Sequence, residues 1–299
     1  MVTVDLIVKN CRLVQNNRIL EADMIIDNGK VKQIKNAGSN IKADRSIDAK
    51  ENLVIPGCID PHIHSREPHG PNTPTTQEDF SSVTRAAAAG GYTTIFDMPV
   101  TDYYPTTTLE GFKIKKNLAD KKCFVDYSFY GGVGYGNRNE IIPLASAGVI
   151  AFKIFTREIE HEDKKWNGVI IGKGGSDTFL SIMKAVSKTG LPLSIHCEDD
   201  RLIEVLSNQL KFKGEINPDA YSKSTPNASE FREVSRSIKL ARISDAKIII
   251  AHLSTAKAAS MVKKAKRDGL SIYAETCPHY LLLTDRDMIE KLGPYGKIY

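Results

Sequence analysis

The sequence predicts an α/β protein, a (β/α)₈ TIM-type barrel entered through a small N-terminal β-sandwich module, and three observations carry that prediction. Near-continuous apolar runs alternate with helix-like segments from Ile55 onward, the pattern of parallel βα units whose sheet is covered on both faces. The residues before them alternate apolar and polar between closely spaced turn signals, as short strands do. Histidines and one lysine recur at the C-terminal ends of the apolar runs, where barrels of this class gather their chemistry.

Residues 1–53 read as the strands VDLIVKN, CRLVQN, ADMIIDNG and KVKQIKN, running into SIDAKENLVIP. They form the N-terminal part of a composite β-sandwich domain, too small to be stable alone. Residues 54–299 form the barrel. Its strands are IPGCIDPHIH, YTTIFDMP, FVDYSFYG, VIAFKIF, LPLSIHCED, KIIIAHLS and SIYAETC. Helical character lies between them, as in TQEDFSSVTRAAAAGG, stopped by Gly90 and Gly91, and TFLSIMKAVSKTG, closed by Gly190. An eighth strand is missing before the chain stops at KLGPYGKIY. An open seven-stranded barrel would leave two edges unpaired, so a fragment truncated before strand 8 is expected.

The 299 residues, 41% apolar and 26% charged, suffice for a well-buried core. The net charge of +5 comes from scattered basic residues. Lys113, Lys115 and Lys116, like Lys263, Lys264 and Lys266, read as solvated helix faces, and no basic patch is interleaved with aromatics, so nucleic acid is excluded as a partner. The five cysteines form no CxxC pair and are odd in number, which argues against a disulfide framework and for a reducing compartment. No apolar run is long enough to span a bilayer and MVTVDLIVKNCRLV lacks a signal-peptide core, so a cytoplasmic protein without membrane contact is expected.

His62 and His64 stand two apart at a strand end, where the strand period of two turns both imidazoles to one face. Lys153 in AFKIF shares a face with Ala151 and Phe155, while Phe152 and Ile154 take the other. A buried ammonium without a partner is expensive; Lys153 either snorkels to the barrel rim or is a desolvated, neutral amine that takes up carbon dioxide as a carbamate. His196 and His252 end two further strands. Singly, each histidine is more often a satisfied core residue than a ligand. Together the five residues fall at the ends of the first, fourth, fifth and sixth strands, and independent bland explanations for all of them are hard to sustain. His69 and His161 lie in polar loops and read as structural or exposed; His279 sits near the mouth without a ligand role. The stretches GGVGYGNRN and IGKGGSD match no phosphate-loop spacing and read as turns or mobile loops.

The segments VIPGCIDPHIHSREP, TRAAAAGGYTTIFDMP, AFKIF, LSIHCED, IIIAHLST and AETCPHYLLLT, in this order, resemble the cyclic amidohydrolases: dihydroorotases, allantoinases and hydantoinases. The resemblance runs from about residue 5 to the end. It implies two divalent ions, zinc by default, with His62 and His64 on the more buried one, His196 and His252 on the other, and an N6-carboxylated Lys153 bridging them. It further implies that water activated between the ions opens a cyclic amide, that an aspartate beyond Tyr299 shuttles the proton, and that the 299-residue chain alone is inactive. Relatives commonly form homodimers or homotetramers. Arg66, in HSREP, matches the dihydroorotase arginine that grips the substrate carboxylate; its bland alternative is a salt bridge with Glu67 or Glu78. Val100 stands where dihydroorotases carry an asparagine, Thr225 where many relatives carry an arginine, and PTTTLEGFKIKKN and CPHY look more like allantoinases. The charge argument for Arg66 favours a dihydroorotase-like enzyme of pyrimidine biosynthesis, with allantoinase the alternative and hydantoinase third. A metal-free scaffold homologue is the reading from a different class.

Overall fold

In the computed structural model, which describes residues 3–70, 78–101, 103–158 and 168–296, the chain divides into two compact units, Met1–Cys58 and Ile59–Tyr299. The first is a single five-stranded sheet: β1 (Val4–Gln15), β2 (Arg18–Asp27), β3 (Lys30–Asn36), β4 (Ala43–Asp48) and β5 (Leu53–Val54). The order is β3-β2-β1-β4, with β5 also on β1. The segments VDLIVKN and CRLVQN, read as two strands, form one. A bulge between Val8 and Cys11 absorbs the break: Asn10 adopts a left-handed φ of 53° and its N–H donates to Asp23 Oδ1 at 3.0 Å. Val54 pairs with Leu13, which carries the first sheet just past residue 53.

The second unit alternates strand and helix as β6 (Cys58–Ile63), α1 (Phe80–Ala89), β7 (Tyr92–Asp97), α2 (Leu109–Lys122), β8 (Asp126–Gly132), α3 (Ile141–Ala147), β9 (Ala151–Phe155) and α4 (Gly175–Ser187). It continues with β10 (Leu193–His196), α5 (Asp200–Phe212), α6 (Asp219–Ser224), α7 (Asn227–Ser244), β11 (Ile248–Ile250), α8 (Ala256–Arg267), β12 (Ile272–Ala274), α9 (Pro278–Leu282) and α10 (Asp285–Leu292). Among the described residues the sheet has seven strands in sequence order from β6 to β12, one for each apolar run read from the sequence. The helix stops are also where the glycines put them: Gly90 caps α1, and Gly91 and Gly190 turn the chain with φ of 84° and 74°.

The strand faces divide as their periodicity requires. Phe152 and Ile154 of β9 are fully buried in a core shared with Leu193, Ile195, Ile248 and Ile250 of the next strands and Phe179, Ile182 and Val234 of the covering helices. Burying each such side chain contributes roughly 1.5–3 kcal/mol. The opposite face, carrying Lys153, is thereby turned to the interior of the curl.

One expectation needs correction. Lys115 is not on a solvated face: it is 0% exposed on the buried side of α2, whereas Lys113, Lys116, Lys263, Lys264 and Lys266 are exposed. The GGVGYGNRN stretch is a turn, one of its two expected forms, buried from Gly131 to Gly134 and at Asn137. Asn137 accepts from the Gly134 N–H and donates to the Thr107 and Gly132 carbonyls. A Cβ at Gly132 would stand 2.6 Å from Val169 Cγ1 and 2.7 Å from Thr107 Cγ2, a close approach that requires glycine. The five cysteines are free, and no helix among the described residues is long and apolar enough to cross a membrane.

Candidate metal centre

Strands β6, β9, β10 and β11 bring the five residues singled out in the sequence to one place. The His62 and His64 rings lie 5.4 Å apart. His62 is 5.5 Å from the ring of His252, which follows β11, and His252 is 4.6 Å from that of His196, the last residue of β10. His62 Nδ1 also meets the carboxylate of Glu275, just beyond β12. The two outermost strands of the sheet therefore approach each other at their C-terminal ends, which only a curled sheet allows.

These side chains, with Arg66, line one cavity of about 620 Å³ whose wall also includes Val100, Phe155, Glu275 and His279. Lys153 is 1% exposed. Its Nζ has no hydrogen-bond partner and sits 5.4 Å from the centre of the Phe155 ring. Burial pushes its pKa down to about 8, against an opposing pull from Glu275. Burial likewise lowers His64 to about 3, helped by the neighbouring His62. It holds His252 far below the usual imidazole range, helped by His196 and Lys153, and lowers His62 in spite of Glu275. Three of the imidazoles are thus neutral near pH 7, the form that can donate a lone pair to a cation.

Among the described residues, no three His, Cys, Asp or Glu side chains are already disposed around one point as a metal-holding group. His196 Nδ1 and His252 Nε2 face each other at 2.9 Å, and His196 Nε2 lies 2.8 Å from Glu198. Yet His64 Nδ1 and Lys153 Nζ are buried without partners, and four imidazoles beside an uncompensated buried amine form a nitrogen-rich set suited to divalent transition ions. The residues fit such a group once Lys153 carries an anionic oxygen donor.

Local backbone geometry marks the same site. His252 and Arg66 adopt φ of 36° and 64°, a region that non-glycine residues enter at a cost of order 1–3 kcal/mol and that clusters at functional positions. Arg66 is exposed and ion-pairs with no described residue. Its alternative partner Glu67 is occupied, accepting from the Phe80 N–H at 2.8 Å and from the Lys122 ammonium. His69 bonds the Glu78 carbonyl at 2.8 Å, a structural role. His279 lines the cavity, and its Nε2 is buried without a partner; His161 lies outside the described residues.

The sequence reading missed three carboxylates here. Glu275 touches His62 and Glu198 touches His196. Asp97 accepts from the Ser65 N–H and hydroxyl at 2.8 and 2.9 Å, anchoring the loop between His64 and Arg66. Each stands at or just past the end of an apolar strand, in AETC, HCED and IFDMP, the same signal that selected the histidines.

A pH dependence follows with definite sign. The folded-state pKa of His64 is depressed, so between pH 6.5 and about 3 the unfolded chain binds the proton and the folded one does not. The stability this group contributes is complete above 6.5 and is lost as pH falls through that window, at about 1.4 kcal/mol per pH unit; His252 shifts in the same direction. Denaturant midpoints of the metal-free protein should fall steeply from pH 6.5 to 4, and a flat profile would contradict the neutral, desolvated state of these rings.

Comparison with known proteins agrees with the geometry. Residues 53–293 match the amidohydrolase family. The chain is 33% identical over 292 residues to an allantoinase of Bacillus velezensis, covering 96% of this chain and 61% of that one. It is 35% identical over 301 residues to a dihydroorotase of Methanosarcina mazei, covering 98% and 62%. The structure superposes on that of an L-hydantoinase (dihydropyrimidinase) from Arthrobacter aurescens with a TM-score of 0.89 at 31% identity, covering 99% of this chain and 63% of that one. The chain spans somewhat less than two thirds of each of these proteins. By its strand-end residues, its fold and its matched length, the chain belongs to the amidohydrolase family.

Proposed function

We propose that the protein carrying this chain hydrolyses the C–N bond of a cyclic amide, using two divalent ions, zinc by default, held by His62, His64, His196, His252 and an N6-carboxylated Lys153. The observation that carries the reading is Lys153, a buried primary amine with no hydrogen-bond partner in the same cavity as four imidazoles. With its pKa near 8, about a tenth of the amine is neutral at pH 7. The neutral amine adds to carbon dioxide, forming an N–C bond and releasing a proton, and leaves an anionic carbamate with two oxygens. An unpartnered buried cation is thereby replaced by an anion among groups that favour cations. When bound, the ions supply a water of lowered pKa and polarise the ring carbonyl.

The chain's own residues do the rest. Burial keeps the imidazoles unprotonated, so they present lone pairs. Val100 and Phe155 give the cavity apolar wall that limits water. Arg66 offers a guanidinium fork, free of other described ion pairs, suited to bidentate capture of a carboxylate. This supports a dihydroorotate-like substrate, interconverted with N-carbamoyl-aspartate in pyrimidine biosynthesis.

Val100 favours a second reading. It lines the cavity and cannot hydrogen-bond a carboxylate, which suits allantoin, a ring without one; hydantoins come third. The test is hydrolysis of L-dihydroorotate and of allantoin, side by side, by the full-length metal-loaded protein and its Arg66→Ala variant. Dihydroorotate turnover should fall about a hundredfold without Arg66, the loss of roughly 3 kcal/mol of charge-assisted hydrogen bonding. Allantoin turnover indifferent to Arg66 would establish the second reading, and absence of bound metal after native purification would support a non-catalytic scaffold instead.

A further inference from the structure

Glu275 stands at the end of the outermost strand with its backbone locked: its N–H donates to the Ile250 carbonyl at 3.0 Å, and its own carbonyl accepts from the Leu253 N–H at 2.7 Å. From this fixed base the carboxylate, 15% exposed, crosses to His62 Nδ1 on the opposite outermost strand. A carboxylate carries no proton and can only accept a hydrogen bond. A neutral imidazole has one N–H, so the contact places that proton on Nδ1 and leaves the Nε2 lone pair unused. The His62 ring stands near those of both His64 and His252 in the shared cavity. In water the neutral histidine ring prefers the other tautomer, with its proton on Nε2, which could not ligate through that atom.

We infer that Glu275 is a positioning residue that fixes the tautomer and ring orientation of His62 for metal ligation through Nε2. The carboxylate also adds a second negative charge near a site where four neutral imidazoles and one carbamate would otherwise face two dications. This inference rests on the metal-site reading above, and it assigns Glu275 to orienting a ligand instead of being one.

The experiment uses the full-length protein in wild-type form and as Glu275→Ala and Glu275→Gln. Zinc affinity is measured by competition with a chromophoric chelator, and the His62 tautomer by ¹⁵N NMR of the metal-free, histidine-labelled proteins. Expected are a 10- to 100-fold weaker zinc affinity in Glu275→Ala, substantial recovery in Glu275→Gln, whose amide oxygen still accepts from Nδ1–H, and an Nδ1-protonated His62 in wild type that shifts toward Nε2–H in Glu275→Ala. Unchanged affinity and tautomer in Glu275→Ala would overturn the inference, as would equal loss of zinc in both variants, which would make the carboxylate a direct ligand. A wild-type protein that binds no zinc would overturn the metal-site reading itself, and the wild-type titration distinguishes that failure from the others.

Discussion

Replacing Lys153 with methionine should abolish turnover by the full-length protein while making its metal-free form more stable. The two effects have one origin. Lys153 is fully buried, with Nζ unpartnered, and its pKa falls from 10.5 to about 8. That depression corresponds to ~3 kcal/mol of disfavoured charge. Methionine has similar length and no charge, so the metal-free variant should gain about 1–3 kcal/mol, part of the relief being offset by imperfect packing. The sign is checkable by pH. Because the folded-state pKa is depressed, the penalty is complete below about 8 and fades as pH rises from there toward 10.5, so the wild-type protein should gain stability across that window and the variant should not.

Loss of function follows from the same substitution because methionine cannot form a carbamate. Metal content should drop, and kcat/KM should fall by about three orders of magnitude or more, since the ions' several kcal/mol of transition-state stabilisation convert at about 1.4 kcal/mol per tenfold. Added short-chain carboxylic acids, which supply two oxygens, should restore part of the activity in Lys153→Ala, whose truncation leaves the space that methionine fills. A variant that is destabilised when metal-free yet retains metal and turnover would show that Lys153 is a structural lysine.

How much of this was readable beforehand depended on whether the signal was local. The strands of the second unit were legible because each lies on an apolar run, most plainly β9, β10 and β11, which are buried almost throughout, and the histidines stood out because they lie at the ends of such runs. Alternation along β9 put Lys153 on the face opposite Phe152 and Ile154, and only the fold shows which face looks inward. What stayed hidden depended on pairs far apart in the chain. Glu275 meets His62 across 213 positions, which no strand pattern encodes. Lys115, in a run of exposed lysines on α2, is buried only because Asp97 on β7 lies beneath it. The N-terminal break at Asn10 reads as a turn between two strands because a left-handed asparagine serves turns and bulges equally well; the acceptor that decides between them, Asp23, is on another strand.

The Asp97–Lys115 pair should therefore be the most damaging place to remove a charge outside the histidine cluster. Lys115 Nζ lies 2.5 Å from Asp97 Oδ2, with side chains 0% and 1% exposed, and it also donates to the Met98 carbonyl at 2.8 Å. Asp97→Ala leaves an ammonium buried with a single neutral acceptor, which should cost about 3–5 kcal/mol. Adding Lys115→Met removes the stranded charge and should return most of that stability, because a buried ion pair and an apolar replacement of like volume are often near equivalent. Activity should not return with it. Asp97 also holds the Ser65 N–H and hydroxyl, between His64 and Arg66, and the double variant still lacks that anchor. Denaturant unfolding set beside kcat/KM separates the two roles: a double variant that recovers stability but stays at least about tenfold less active would identify Asp97 as the support of the His64–Arg66 loop, whereas recovery of both would reduce the pair to a purely structural one.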